Sequence, residues 1–446
     1  MPAQNPTDLL SSLIEKVRRL GADAADAVLV EGVSLSHARR LGKTEKLERS
    51  EGHDLGLRVL MGKRQAIVSS NDWSPAALEE LAERALAMAK TVPEDPYCGL
   101  AAPEELARDF PELDMLDPNE PSAETLIERA AKAEEAALAV PGVTNSEGAE
   151  AGWGRSQVVM VASNGFVGGY ASSGCGVSVA VLAGEGTAME RDFDYSSAVY
   201  SEDLEDAALI GKRAGERAVK RLNPRKVASQ KVPVMFDPRI ARGVIGHLIG
   251  AINGPAIARG TSFLKEKLGQ QVFSKGITII DDPHRRRGQR SRPFDGEGVA
   301  NHRWELVRDG VLTTWLLDLR SARQLGMKTT GHAARGTSSP PNPAPTNVWL
   351  EPGPLSPKEL MADIKSGFYV GELMGMGVNL ITGDYSRGAS GFWIENGEMA
   401  YPVSEVTVAG NLKDMFMSLT AASDLEFKSS FDAPTIRIEG MTIAGT

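Results

Sequence analysis

Apolar residues recur every three to four positions at Leu9, Leu10, Leu13, Ile14 and Val17, which predicts a helix over Pro6 to Leu20 with Thr7 as its N-cap and Gly21 as its stop. The period then drops to two. Ala25 to Glu31, Ser34 to Arg40 and Glu45 to Ser50 read as short strands, and Gly56 to Leu60 with Gln65 to Ser69 reads as a hairpin. Ser74-Pro75 opens a second helix, Ala76 to Lys90. The same order then returns: a helix over Ala123 to Leu138, strands at Val143 to Glu150, Ser156 to Ala162, Gly165 to Ser172, Gly176 to Leu182 and Gly186 to Asp192, and a helix over Glu202 to Leu222. The recurrence suggests a duplicated αβα unit. Its copies fall at residues 1–95 and 122–225, joined by a proline-rich linker over 96–121.

Beyond Asn223-Pro224 the pattern is mostly strand and turn, which predicts a β-rich, barrel-like C-terminal domain over 230–446 with two or three helices. The expected fold class is therefore α+β. Val232 to Phe236 is an apolar strand that turns into a helix behind Pro238, and Trp304 to Arg308 with Val311 to Trp315 forms a hairpin across Asp309-Gly310. Gly371 to Gly377 reads as a helix end and tight turn. Gly383 to Gly391 reads as a flexible contact loop or tight turn, followed by a hairpin across Asn396-Gly397 and a third strand, Val403 to Val408, after Pro402.

Charge narrows the partners. A formal net charge of −10 repels phosphate backbones, so nucleic acid is not an expected ligand despite the basic run His284-Arg285-Arg286-Arg287 with Arg290 and Arg292. That run is expected to be a solvated loop or a patch facing an acidic partner. Two cysteines, Cys98 and Cys175, cannot form a disulfide framework. No apolar run reaches membrane-spanning length, and the N-terminus does not read as a signal peptide, so the expected location is the cytoplasm.

Two stretches hold candidate chemistry: Asp237 to Gly250, running from strand to helix, and Gly383 to Leu412, GDYSRGASGFWIENGEMAYPVSEVTVAGNL. With the duplicated N-terminal unit, they make the chain resemble the TldD/PmbA family, in its TldE (PmbA) branch. In the TldD branch the helix after the strand carries His-Glu-x-x-x-His, two zinc-binding imidazoles and a carboxylate that activates water. The resemblance places these positions on Arg242, Gly243 and His247. A guanidinium only donates and cannot ligate a cation, and glycine has no base to offer. A cysteine used by that branch near the C-terminus also has no counterpart here, since none follows Cys175.

The resemblance implies that this chain pairs with a TldD-type subunit in a heterodimeric metalloprotease acting on unfolded peptides, with zinc in the partner, no catalytic or metal-binding residue in this chain, and no activity in isolation. A homodimer in the absence of that partner is compatible with the shared fold. Asp384, Tyr385, Ser386 and Arg387 are the candidate partner- or peptide-binding residues, against the alternative of a turn held by Asp384 with Arg387 paired to a carboxylate. Two other functions stay open at this point: an adaptor of the gyrase-modulator type acting without proteolysis, and an enzyme with a metal site rebuilt around His247 using His284, His302 or His332.

Overall fold

The computed structural model describes residues 5–445. Its N-terminal half begins with α1 (Pro6–Arg19), capped by the Asn5 side chain, two positions before the expected Thr7. Three strands follow, β1 (Ala24–Arg40), β2 (Lys43–Met61) and β3 (Arg64–Ser70), and then α2 (Pro75–Thr91). The series repeats as α3 (Ala123–Leu138), β4 (Val143–Ala162), β5 (Val167–Ala183), β6 (Glu190–Ala198) and α4 (Ala207–Lys220). All six strands join one antiparallel sheet in the order β3-β2-β1-β4-β5-β6, so the two copies meet along β1 and β4. The duplicated αβα unit is thus a single continuous layer.

The strands are far longer than the short pieces expected. Each interruption in the sequence pattern falls at a small residue in mid-strand, where Gly32 pairs Gly52 and Ser156, and Ser34 pairs Ser50 and Gly154. One face of the sheet carries the helices. Leu10, Leu13 and Val17 of α1 and Leu81 and Ala85 of α2 pack on Leu55, Leu57 and Val59 at one end. Leu126 and Ala130 of α3 and Ile210 and Ala214 of α4 pack on Trp153, Val177 and Val179 at the other. Helices α3 and α4 touch closely because Gly211 has no side chain: a Cβ there would stand 2.0 Å from the Ala133 carbonyl.

The other face of the sheet meets the C-terminal region, where Arg58 and Arg335 both pair with the fully buried Asp26. The centre of that region is a closed five-stranded barrel. β7 (Gln230–Phe236) lies parallel to Ser366–Met374, which pairs with Asp384–Glu395, then with Glu398–Asn411; Ile436–Ala444 closes the ring back to β7. Closure leaves no free edge among these strands. A second, five-stranded sheet packs nearby, and α5 (Pro238–Ala251) buries Val244, Ile245, Leu248 and Ile249 in the core both sheets share.

Several sequence expectations are corrected here. Gly383 to Gly391 is barrel strand for most of its length, not a loop; its glycines permit close pairing, since a Cβ on Gly391 would stand 1.9 Å from the Tyr369 carbonyl. The hairpin at Asn396-Gly397 forms, with φ of 50° and 82° at the two turn residues. The strand after it runs unbroken through Pro402, with the pairing slipping nearby at bulges, and Gly371 to Met374 belongs to a strand instead of a helix end. The C-terminal helices number five among the described residues, most of them short. The basic loop is also not simply solvated: Arg287 pairs with Asp114, Glu202 and Asp203 and lies over the Tyr200 ring, and Arg285 lies over Phe427.

Candidate functional site

Helix α5 starts where β7 leaves the barrel. Asp237 caps it, accepting from the Arg239 amide at 3.0 Å, and Pro238 occupies the first turn, where no amide is needed. Its apolar residues face the core, which leaves Arg239, Arg242, Gly243, Gly246, His247 and Gly250 on the opposite, half-buried face. Arg239 is absorbed into the structure by ion pairs to Asp192 at 2.8 Å and Asp237 at 3.0 Å.

Arg242 is held differently. Its Nη1 donates to the Tyr195 hydroxyl at 2.7 Å and its Nε to the Arg239 carbonyl at 3.1 Å, and among the described residues no carboxylate pairs with it. Gly243 and Gly246 face open space: a Cβ on either would meet nothing within 4 Å. His247 lies one turn on. Its Nε2 is buried and without a hydrogen-bond partner among the described residues, and its ring stands edge-on to Tyr385, 5.8 Å between centroids. Burial, with a smaller push from Arg387, lowers the imidazole to about 4, so it is neutral at ordinary pH.

The barrel strand Asp384–Glu395 supplies the rest, and strand alternation divides the four residues singled out in the sequence. Tyr385 and Arg387 turn toward His247. Tyr385 is 2% exposed, and its hydroxyl has no partner of hydrogen-bonding geometry although Arg387 lies beside it. Burial raises the phenol to about 12. Arg387 is half-buried, its Nε unpartnered and its charge matched by no carboxylate among the described residues. Asp384 and Ser386 are exposed on the alternate positions. Asp384 accepts from the Thr382 hydroxyl at 2.7 Å and Asn411 Nδ2 at 3.1 Å, which holds its carboxyl below the usual range, and the Ser386 amide bonds to Gly377.

The other histidines have their own partners. His332 bonds to Asp281 at 2.7 Å, His284 to Asn301 at 2.7 Å, and His302 packs at a tilt against the Trp304 ring. Burial, and then the neighbouring His332 and His284, lower the His302 imidazole, whereas the charge that adds to burial at His247 among the described residues is that of Arg387. Among the described residues no three His, Cys, Asp or Glu side chains gather closely enough to hold a metal ion. A centre of the His-Glu-x-x-x-His type does not fit the donor set at 242, 243 and 247, which offers a guanidinium, no side chain and one imidazole. The Cys175 thiol is buried and raised to about 11, remote from a thiolate ligand in character.

Sequence reading missed the buried charge cluster of Asp26, Arg58, Arg335, Asp295 and Glu297. Its one visible signal was an aspartate inside the apolar run Ala25 to Leu29.

The fold docks a duplicated α+β layer on a closed barrel that carries a strand-to-helix turn at its rim. The sequence matches the PmbA/TldA metallopeptidase family in three consecutive parts, domain 1 over residues 25–89, the central domain over 116–222 and the C-terminal domain over 229–445. The chain belongs to this PmbA/TldD family. It is 40% identical to the metalloprotease PmbA of Escherichia coli O157:H7 over 427 residues, covering 95% of this chain and 93% of that protein. A crystal structure from Bacteroides thetaiotaomicron, described as a modulator of DNA gyrase, superposes over 100% of both chains with a TM-score of 0.92 at 28% identity. TldE of Thermococcus kodakarensis shares the fold, with a TM-score of 0.88 at 22% identity over 98% of this chain and 100% of that one. No helix among the described residues is long and apolar enough to cross a membrane.

Proposed function

We propose that this chain is the non-catalytic, zinc-free subunit of a heterodimeric, cytoplasmic metallopeptidase of the TldD/TldE type, whose partner supplies the metal and which acts on unfolded peptides. The observation that carries this reading is the environment of Arg242. At the position where the metal-binding branch has its first imidazole, a guanidinium bonds to the Tyr195 hydroxyl and a backbone carbonyl, next to a glycine in place of the general base. The face around it stays partly open, which supports a role in contacting a partner or a peptide through Tyr385 and Arg387, with the exposed Asp384 and Ser386 available on the outer side of the same strand. Residues 1–95, 122–225 and 230–446 act as the structural units of that subunit, with 96–121 as their connection.

The test is reconstitution with a TldD-type protein carrying the intact motif. The expected result is a stable complex by size-exclusion chromatography, no stoichiometric zinc in this chain alone, and chelator-sensitive cleavage of an unfolded peptide only when both chains are present. Chelator-sensitive cleavage by this chain alone would overturn the reading. Full cleavage by the partner without it would favour an adaptor role outside proteolysis.

A further inference from the structure

We propose that Tyr385, Arg387 and His247 form a receptor for the C-terminal carboxylate of a peptide lying along the glycine face of α5. Three buried polar atoms without partners among the described residues, the Tyr385 hydroxyl, Arg387 Nε and His247 Nε2, belong to side chains that pack on one another. Buried polar groups are paired in the great majority of cases, so three orphans in one cluster mark a place where an outside group completes the bonding. All three can donate: the guanidinium and the phenol do so at neutral pH, and the neutral imidazole does so in its Nε2–H tautomer.

Charge selects the ligand. Arg387 and Arg242 have no carboxylate within ion-pair distance among the described residues, so this side of α5 carries uncompensated positive charge in a partly desolvated setting. A carboxylate satisfies that charge and accepts from a guanidinium in a bidentate manner with capacity left for a hydroxyl. Space selects its source. With no side chains at Gly243 and Gly246, a ligand can approach at the level of the helix backbone, which suits the end of a main chain better than an acidic side chain reaching in from a distance. The inference rests on the reading of this face as peptide-facing, and not on where the metal sits.

The experiment is calorimetric titration of the full chain with acetyl-trialanine as the free acid, the same peptide as its C-terminal amide, and acetyl-Ala-Asp-Ala-amide, which carries its carboxylate on a side chain. The free acid is expected to bind at least about tenfold more tightly than either amide, as the loss of a charge-assisted bond implies. Arg387→Gln should erase that preference, and Tyr385→Phe should reduce it several-fold without lowering the thermal midpoint. Equal binding of acid and amide, or no binding of either, overturns the proposal. Equal binding of the acid and the Asp peptide overturns the assignment to a chain terminus. If Arg387→Gln fails to fold, the Tyr385→Phe result decides, and an unchanged preference there counts against the site. Zinc content and cleavage bear on the proposed function alone, so the two readings can fail separately.

Discussion

Two arginine clusters in this molecule are built in opposite ways. Where the N-terminal sheet meets the C-terminal region, Asp26 takes both Arg58 and Arg335, and Glu297 stands 3.9 Å from Arg58. Two of Arg335's nitrogens go without a bond, yet both guanidiniums face the Asp26 carboxylate within the chain. On the open face of α5, Arg242 and Arg387 have no such counter-charge among the described residues, and the polar atoms beside them are unpaired. Desolvating a cation without an anion costs stability and brings none back. The first cluster therefore acts as a strut between two regions, while the second is maintained at a cost to the fold, as expected of a face that receives something from outside.

The sharpest way to break the comparison is to remove Asp26. Asp26→Ala leaves two guanidiniums facing each other in a buried site and should cost roughly 3–5 kcal/mol in urea unfolding. A loss no larger than that from Arg387→Gln would mean that the two clusters do not differ.

Next comes the pH dependence of the strut. Burial, together with the neighbouring Asp295, raises the Glu297 carboxyl well above the ordinary range, so the folded state holds its proton where the unfolded chain has released it. Stability contributed by that proton is full below the usual carboxylate range and is lost as pH rises until Glu297 ionises in the fold. Glu297→Gln, which keeps an acceptor for the Leu319 amide, should flatten this decline and stabilise the protein at alkaline pH by roughly 1–3 kcal/mol in denaturant titrations across pH.

His247 has the reverse slope. Its folded-state value of about 4 lies below that of the unfolded chain, so its burial destabilises progressively as pH falls from about 6.5 toward 4, by on the order of 1–2 kcal/mol after allowance for solvent screening. His247→Phe should remove that slope, and an unchanged acid limb would show the imidazole to be solvated. The smallest expected effect is of opposite sign. Gly243→Ala adds a methyl group in open space within a helix and should stabilise by about 0.5–1 kcal/mol. A destabilising result would mean that the open face is filled.

Much of the framework was readable from the sequence because it is local. Ala123 to Leu138 is a helix with the bounds its periodicity predicts, and Asn396-Gly397 is the turn its composition demands. The strands were cut short because glycine and serine at 32, 34, 50, 52, 154 and 156 imitate turn punctuation, while in the sheet they pair with one another across neighbouring strands. Tyr385 and Arg387 were picked out, but as parts of a loop with Asp384 and Ser386. Only the barrel register shows that alternate residues face opposite sides and that the inward pair meets a histidine from a distant helix. The Asp26 cluster joins residues from both halves of the chain, and no local pattern encodes such a meeting.

The order β3-β2-β1-β4-β5-β6 carries a consequence for symmetry. Antiparallel pairing of β1 with β4, the first strand of each series, is the contact that two copies of one unit make through the same strand, each edge completing the other about an approximate two-fold axis. Because both copies lie in one chain, the two central strands need not be identical, and β1 alone sets Asp26 toward Arg335 of the C-terminal region.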